Sequence, residues 1–476
     1  MAKPLSVQPP LEFIPPNFQT WVWWGARSLL PYRLRYSHNI ADVQVQHIER
    51  LVDLYHQFEQ GKARFLLAFR HPSTSDPECL LHLSSYVLPA AARQQGVSLS
   101  NPTHFHFIYD RGIPLWAGQY VGWLYSRLGG IPIRRGKVDT TGLRTIRQLF
   151  VEGRFPIAAA PEGATNGHNE LVSPIEPGIA QFGFWCAEDL KKGDRSELVY
   201  ILPVGLQYDF ISPPWHRMAQ LLHQLEVDSG LVPESDFLSV SAVQDGVTPT
   251  SEQQTQLYQR LFRLGVYLLG LMEEYYSRFY RQPVATLQAS AGTRLRVPEN
   301  ISNEALAERL QALLNSALGV AEQFFGLQPK GSLADRCRRL EQAAWDRIFR
   351  EDIKDLDALP AVERGLADRI AEESDFHIWH MRLVETFVSV TGNYVREKPS
   401  AERFGETLTL LWDMVSRLKG QHSFPYPMLG QRRARLSIGE PLSVSDRMPD
   451  YHANRRQAVA ALTQDLQTAL EAMIQA

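Results

Sequence analysis

The sequence has little net charge and no long apolar run. Its 49 Lys and Arg residues nearly balance 52 Asp and Glu residues, which gives a formal charge of −3. No overall positive field therefore attracts a nucleic acid, and we expect no nucleic-acid partner. No stretch approaches the roughly 18 consecutive apolar residues that a membrane-spanning helix requires. Any contact with a membrane is expected to be peripheral.

Cysteine is also scarce. Cys79, Cys186 and Cys337 stand alone, with no C-x-x-C spacing. Such isolated cysteines argue against a disulfide scaffold or a zinc site, and they fit a reducing compartment. His104 and His106 share one face of a predicted strand without a clear third ligand, so we predict no metal site. No bound cofactor is expected either.

The chain is long and rich in apolar residues. Its 476 residues exceed the usual size of one domain, and 44% of them are hydrophobic, enough for sizeable cores. Between about 62 and 212, short apolar runs alternate with longer amphipathic stretches, the pattern of an α/β sheet. From 216 to 424, apolar residues recur at helical spacing without a strand pattern. The predicted strands are Arg64–Arg70, His104–Tyr109, Pro156–Ala160, Leu198–Gly205 and, after the helical block, Arg435–Pro441.

The segment from Phe18 to Tyr36 concentrates aromatic and basic residues. Three of the ten tryptophans of the chain lie there within four positions, and no acidic residue occurs between Glu12 and Asp42. Indole rings and guanidinium groups both find partners in the headgroup layer of a bilayer. Two interpretations stay open: an interfacial helix, or a helix whose tryptophan face docks on the core. The predicted membrane-contacting residues are Trp21, Trp23, Trp24, Arg27, Arg33 and Arg35.

A histidine and an aspartate follow the first predicted strand of the α/β region. His71 and Asp76 begin and end the sequence His-Pro-Ser-Thr-Ser-Asp. At the end of a buried strand, a histidine is suited to act as a general base, and a nearby carboxylate holds its imidazole. A structural histidine with a helix-capping aspartate is the alternative. The three hydroxyl residues between them are expected to cap the following helix rather than to act as nucleophiles.

Three further motifs lie at predicted strand ends and turns. Gly-Gly-Ile-Pro-Ile precedes the pair Arg134 and Arg135, and a guanidinium binds a phosphate monoester with two hydrogen bonds. Pro-Glu-Gly-Ala-Thr-Asn-Gly forms a tight turn, whose Glu162 is positioned to accept a hydrogen bond from a substrate hydroxyl or to fix Arg135. Leu-Pro-Val-Gly205 ends another strand. Taken singly, these motifs are a surface arginine pair, a glycine turn and a core strand. Together and in this order, they indicate one shared site.

The four motifs together resemble the four sequence blocks of the glycerolipid acyltransferases. This family comprises the 1-acylglycerol-3-phosphate, glycerol-3-phosphate and lysophospholipid acyltransferases. The resemblance implies that His71 is the general base and that Asp76 is its partner. It also implies a binding set for the acceptor that consists of Arg134, Arg135, Glu162, Gly163 and Thr165. Thr165 stands where the family usually has an arginine, which removes one phosphate-binding cation.

The activity that the resemblance implies is that of an O-acyltransferase. His71 would remove a proton from a hydroxyl of a glycerol-phosphate-type lipid, which then attacks the thioester of acyl-CoA or of an acyl carrier protein. Lysophosphatidate is the expected acceptor, and the cytoplasmic face of a membrane is the expected location of a peripheral, monotopic protein. Two alternatives remain: acyl transfer to a non-phosphorylated lipid alcohol or glycolipid, and a non-catalytic lipid-binding membrane protein on the same fold.

The resemblance also organises the chain into four predicted segments. These are an N-terminal membrane-contacting helical segment (1–60), an acyltransferase core (61–215), a helical insertion (216–430), and a C-terminal strand and helix that complete the core (431–476). The predicted fold class is α/β, with a mixed sheet flanked by helices and a large all-helical insertion before the last strand. Three roles stay open for the insertion: lining an acyl tunnel, docking an acyl carrier protein, and self-association.

Overall fold

The chain forms two compact units. The computed structural model describes residues 5–134, 138–231, 240–284, 302–353, 355–387, 394–421 and 425–475. The sheet unit comprises Glu12–Ile211 and Gln431–Ala476, and the helical unit comprises Met1–Leu11 and Ser212–Gly430. Among the described residues, no helix has the length and apolar character needed to cross a membrane.

A mixed β-sheet forms the centre of the sheet unit. Its strands within the described residues are β1 (Ile40–Gln46), β2 (Ala63–Phe69), β3 (His106–Asp110), β4 (Ile131–Ile133), β5 (Ile157–Ala159), β6 (Leu198–Phe210), β7 (Arg432–Ile438) and β8 (Leu442–Ser443). Their order is β1-β7-β6-β2-β5-β3-β4, and β8 pairs with β6. β2 runs parallel to both of its neighbours, β5 and β6, whereas β7 runs antiparallel to β6.

Helices make up most of the remaining described chain. In chain order they are α1 (Thr20–Tyr32), α2 (Ile48–Glu59), α3 (Asp76–His82), α4 (Leu88–Gln94), α5 (Ile113–Ala117), α6 (Gln119–Arg127), α7 (Thr140–Glu152), α8 (Gly178–Lys192), α9 (Trp215–Ser229), α10 (Ser251–Tyr280), α11 (Asn303–Phe325), α12 (Leu333–Ile348), α13 (Ala361–Phe387), α14 (Tyr394–Glu397), α15 (Ala401–Leu418), α16 (Met448–Ala453) and α17 (Arg455–Ala472). Helices α9 to α15 belong to the helical unit. A π-helical turn, Leu83–Val87, joins α3 to α4.

The sheet is buried on both faces, as the sequence of β2 requires. Phe65 and Leu67 point into one apolar cluster, which α2 covers, while Leu66 and Ala68 point into a second cluster, which α7, α8 and α17 cover. Side chains alternate between the faces of a strand, so a strand covered on both sides needs apolar residues on both faces, as β2 has from Phe65 to Phe69. This arrangement explains the continuous apolar run in β2.

The structure confirms the predicted fold class. The five predicted strands correspond to β2, β3, β5, β6 and β7, and the helical block lies between β6 and β7. A capping box begins α12, because the Ser332 hydroxyl accepts from the backbone N–H of Asp335 while the Asp335 carboxylate accepts from the backbone N–H of Ser332. In the described part of 212–430, no strand is present.

The N-terminal 60 residues are organised differently from the prediction. Residues 40–46 form β1, which pairs in parallel with β7, and α2 then packs against the sheet. β1 has the sequence Ile-Ala-Asp-Val-Gln-Val-Gln and is only partly buried at the edge of the sheet. A strand of this kind has no continuous apolar run, and its partner β7 follows far along the chain. The short alternation of valine and glutamine from Val43 to Gln46 is its local signal, which the prediction did not use.

Gly205 is required by close packing between β6 and the end of α17. A Cβ atom built at Gly205 would lie 2.9 Å from the Cβ of Met473. We expect Gly205→Ala to lower the free energy of unfolding by about 1–3 kcal/mol, the usual cost of overpacking a core. Urea denaturation measures the change. Gly178→Ala is the control, since nothing lies within 4 Å of its added Cβ. Equal midpoints for the two variants would contradict the packing argument.

Candidate active site

The candidate site lies along the edge of the sheet that the carboxyl ends of three neighbouring parallel strands form. β2 lies between β5 and β6, and its last residue Phe69 pairs with Val204 of β6. The carboxyl ends of parallel strands meet at the same edge, where α/β sheets place their functional groups. The segments after β2 and β5 therefore meet there, and the second half of β6 runs past both.

His71 and Asp76 form a hydrogen-bonded pair at this edge. Nδ1 of His71 lies 2.8 Å from Oδ2 of Asp76. The Asp76 side chain is fully buried, whereas the His71 side chain is 20% exposed. The structure therefore brings the two residues of the predicted dyad into contact, with the carboxylate inside and the imidazole accessible.

Tyr208 supplies a further hydrogen bond to the buried carboxylate. Its hydroxyl donates to Oδ1 of Asp76, and the backbone N–H of Ser73 donates to Oδ2 at 3.0 Å. Burial and the adjacent Asp76 charge raise the pKa of Tyr208 well above its usual value, so the hydroxyl keeps its proton and acts as a donor. Burial likewise raises the pKa of the neighbouring Cys79 thiol to about 12. Sequence reasoning missed Tyr208, because a tyrosine in a buried strand looks like an ordinary core residue.

Glu162 fixes the backbone at His71. Its Oε1 accepts from the N–H of His71 at 2.8 Å, and its Oε2 accepts from the Asn166 side chain at 2.7 Å and from the N–H of Ser173 at 3.0 Å. The residue is only 3% exposed. Glu162 therefore joins the loop after β2 to the loop after β5 by hydrogen bonds, and it is not exposed to accept one from a substrate hydroxyl. Gly163 follows it with a φ of 73°, in the left-handed region that favours glycine.

Arg70 connects the loop after β5 to the end of β2 by hydrogen bonds. This buried arginine donates to the carbonyl oxygens of Asn169, Leu171 and His168 at 2.6, 2.7 and 3.1 Å. The amide side chain of Asn169 in turn exchanges two hydrogen bonds, each of 2.8 Å, with the backbone of Tyr208. The loop is therefore held to β2 and β6 at once. Arg70 was predicted only as the last residue of a strand.

The remaining predicted substrate-binding residues lie in different surroundings. Thr165 is exposed, and its Oγ1 lies 3.0 Å from Nε2 of His71. Arg134 is buried, and its backbone N–H donates to Oδ2 of Asp139 at 2.9 Å. The prediction for Arg135 falls outside the described residues. Arg134, the member of the arginine pair that the structure describes, is therefore buried rather than exposed at the surface.

The expected capping of α3 by a hydroxyl side chain is wrong for Ser75. This residue precedes the helix but makes no side-chain capping bond. Its Oγ lies 3.0 Å from Nδ1 of His38, and Nε2 of His38 lies 2.5 Å from Oε2 of Glu78. Burial opposes ionisation of Glu78, but its bonds to His38 and Arg33 outweigh this effect and lower its pKa. Arg33 is thereby engaged in an ion pair of 2.5 Å with Glu78.

The predicted membrane-contacting set divides between core and surface. Trp23 is 1% exposed and packs into the core, which corrects its assignment as a membrane contact. Arg27 lies over the ring of Tyr86, 4.4 Å from its centroid. Trp21 and Trp24 are 66% and 41% exposed, and Arg35 is exposed as well. One face of this helix therefore docks on the core, and membrane contact by its exposed face stays a prediction.

A comparison with known protein families finds a match for part of the sheet unit. Residues 42–207 match the model of a family described as Acyltransferase. This segment is an acyltransferase domain. No curated protein and no solved structure matches the chain. The acyltransferase domain holds the His71–Asp76 pair and Glu162, and its reaction class is acyl transfer to a lipid-type acceptor. Tyr208 lies one position beyond the matched segment.

Removing the Tyr208 hydroxyl tests its role beside the dyad. Tyr208→Phe leaves Asp76 without one donor, and a hydrogen bond to a charged group contributes about 1.5–3 kcal/mol. We expect kcat for acyl transfer to fall about tenfold or more with little change in KM, since the tyrosine acts through Asp76 and His71. Tyr200→Phe, a half-buried tyrosine of the same strand, is the control. Equal kcat values for both variants would show that the Tyr208 bond is not needed.

Proposed function

We propose that the protein is an O-acyltransferase of the 1-acylglycerol-3-phosphate type, with His71 as its general base. The observation that supports this most is the contact of 2.8 Å between a partly exposed imidazole and a fully buried carboxylate. The pair lies inside the acyltransferase domain, at the edge of the sheet where functional groups gather. The proposed acceptor is lysophosphatidate, and the proposed donor is an acyl thioester of CoA or of an acyl carrier protein.

The hydrogen bond between His71 and Asp76 determines which imidazole nitrogen is free to accept a proton. An ionised carboxylate only accepts hydrogen bonds, so the imidazole proton resides on Nδ1 and the lone pair on Nε2. Nε2 lies 3.0 Å from the Thr165 hydroxyl. That distance suits general-base catalysis, and an acceptor hydroxyl at the same place would lose its proton to Nε2. The buried charge of Asp76 then stabilises the imidazolium.

The transfer step needs no covalent acyl-enzyme. The deprotonated alcohol oxygen attacks the thioester carbonyl carbon, the C–S bond breaks, and the imidazolium returns its proton to the thiolate that leaves. The Ser75 hydroxyl is buried and directed to His38, which supports its exclusion as a nucleophile. The chemistry therefore depends on one base with a fixed tautomer.

Replacing His71 tests the mechanism. We expect His71→Ala to lower kcat/KM by about 10²–10⁴, the usual contribution of a positioned base. The assay uses oleoyl-CoA or an acylated carrier protein with lysophosphatidate, glycerol 3-phosphate, a lysophospholipid or monoacylglycerol. His452→Ala, which removes an exposed histidine of the same unit, is the control.

Two results would overturn parts of this proposal. Activity that survives His71→Ala unchanged would reject the base. Faster transfer to monoacylglycerol than to lysophosphatidate would favour a non-phosphorylated acceptor. Two features support that second result. Arg134 is buried, and position 165 holds a threonine where the family usually has an arginine, so less positive charge is available to bind a phosphate.

We also propose that the sheet unit sits peripherally on the cytoplasmic face of a membrane. An exposed aromatic surface, formed by α1, the turn after it and α6, supports this. Its members are Trp21, Trp24, Tyr32, Tyr36, Tyr120 and Trp123. The rings of Trp21 and Trp123 lie 6.3 Å apart, so α1 and α6 present neighbouring exposed rings. Exposed aromatic rings beside an arginine such as Arg35 suit the interfacial layer.

Vesicle binding tests the aromatic surface. We expect the double variant Trp21→Ala/Trp123→Ala to bind phosphatidylcholine vesicles containing phosphatidylglycerol about tenfold more weakly or worse, because two rings lose their burial in the interface. Co-sedimentation measures the change. Phe279→Ala is the control, since Phe279 is about as exposed as Trp21 but belongs to the helical unit. Equal partition of both variants and the unmodified protein would reject the surface as a membrane contact.

A further inference from the structure

The helical unit contains an apolar cavity. It lies between α10, α11, α13, α14 and α15, and its interior has a volume of about 130 Å³. Leu261, Leu269, Leu313, Leu314 and Met414 are among the buried residues that line it. Close-packed protein interiors contain few voids larger than a water molecule. A cavity of this size among well-packed helices therefore points to an occupant.

The polar atoms of the cavity wall are already engaged within the protein. The hydroxyls of Tyr258, Tyr276 and Tyr394 are bonded to Asn303 at 3.3 Å, His380 at 2.7 Å and Glu406 at 2.6 Å. The Thr407 hydroxyl donates to a backbone carbonyl of its own helix. Among the described residues that line the cavity, none is charged. Water needs two to four polar partners to stay in such a place, so the site selects an apolar guest.

We propose that this cavity binds one long alkyl chain of a lipid, separately from the catalytic edge of the sheet unit. Apolar cavities of about 150 Å³ bind guests of the size of benzene, so the interior accepts the end of a chain and the wider opening accepts the rest. The guanidinium of Arg403 lies 4.5 Å from the ring centroid of Tyr394, which lines the cavity. The same guanidinium donates to the carbonyl oxygen of Tyr394 at 2.6 Å, and the Glu406 carboxylate accepts from the hydroxyl of Tyr394. The apolar wall, rather than a charged group, therefore provides the recognition of the alkyl chain.

Gly265 of α10 offers a direct way to fill the cavity. It lines the site, and nothing lies within 4 Å of a Cβ atom built on it. The added side chains of Gly265→Leu and Gly265→Phe therefore enter the space that the alkyl chain would occupy. Gly319 of α11 is the matched control, since its added Cβ also meets nothing within 4 Å and it does not line the cavity.

The experiment measures binding to the full chain after removal of bound lipid. The probes are radiolabelled palmitate and radiolabelled lysophosphatidate, each titrated by equilibrium dialysis. For palmitate we expect one saturable site, and for lysophosphatidate one site in addition to that of the catalytic edge. The Kd of the cavity site rises modestly in Gly265→Leu and by about tenfold or more in Gly265→Phe, because the ring displaces several methylene groups. Gly319→Phe should leave the Kd unchanged. Thermal unfolding without lipid verifies that each variant is folded, and the smaller leucine serves if phenylalanine prevents folding.

The two probes and one further variant separate the outcomes. If Gly265→Phe weakens binding of palmitate alone, a free fatty acid is the source of the chain. If it weakens binding of lysophosphatidate alone, the source is a glycerolipid. Absence of a saturable site for both, or equal Kd values for the folded Gly265 variants and Gly319→Phe, would overturn the proposal. His71→Ala should bind the probe as the unmodified protein does, so failure of the catalytic mechanism and failure of this site are distinguishable.

Discussion

The buried negative charge of Asp76 is the constraint on which the catalytic edge depends. A carboxylate removed from water is very unfavourable unless hydrogen bonds replace its hydration. Here the imidazole of His71, the backbone N–H of Ser73 and the hydroxyl of Tyr208 take that place. These donors come from the loop after β2 and from β6, so satisfying one charge fixes the relative position of two elements. The same bonds that make the charge tolerable also orient the base.

Two other buried polar groups extend this principle to the loop after β5. Glu162 accepts from the backbone of His71 and Ser173, and Arg70 donates to several carbonyl oxygens of the loop. Neither side chain is well exposed. Irregular backbone near a core must have its polar groups satisfied, and charged side chains do this with several strong bonds each. The loop beside the imidazole is thereby held in place without regular secondary structure.

The parts of the fold and site that the sequence predicts are those with a local pattern. The apolar run of β2 and the five-position spacing from His71 to Asp76 are visible over a short stretch of sequence. Tyr208 lies 132 positions from Asp76, and Arg70 lies 101 from Leu171, so their partners depend on the topology of the sheet. The edge strand β1 depends in the same way on β7. Likewise, Trp21 and Trp23 lie in the same aromatic and basic segment, so composition does not distinguish them. Packing in the folded protein leaves Trp21 exposed and buries Trp23.

The pairing of β6 with β7 has a consequence for the architecture of the chain. The two strands are antiparallel neighbours, paired from Val204 with Ile438 to Phe210 with Arg432, and the N–H of Ile211 donates to the carbonyl of Gln431 at 2.9 Å. The segment between them therefore leaves and re-enters the sheet at adjacent points, as the loop of a β-hairpin does. Topologically, the segment Ser212–Gly430 of the helical unit is one very long hairpin loop. Because the entropy of closing a loop rises only slowly with its length, the sheet can accommodate such a loop without altering its own hydrogen bonds.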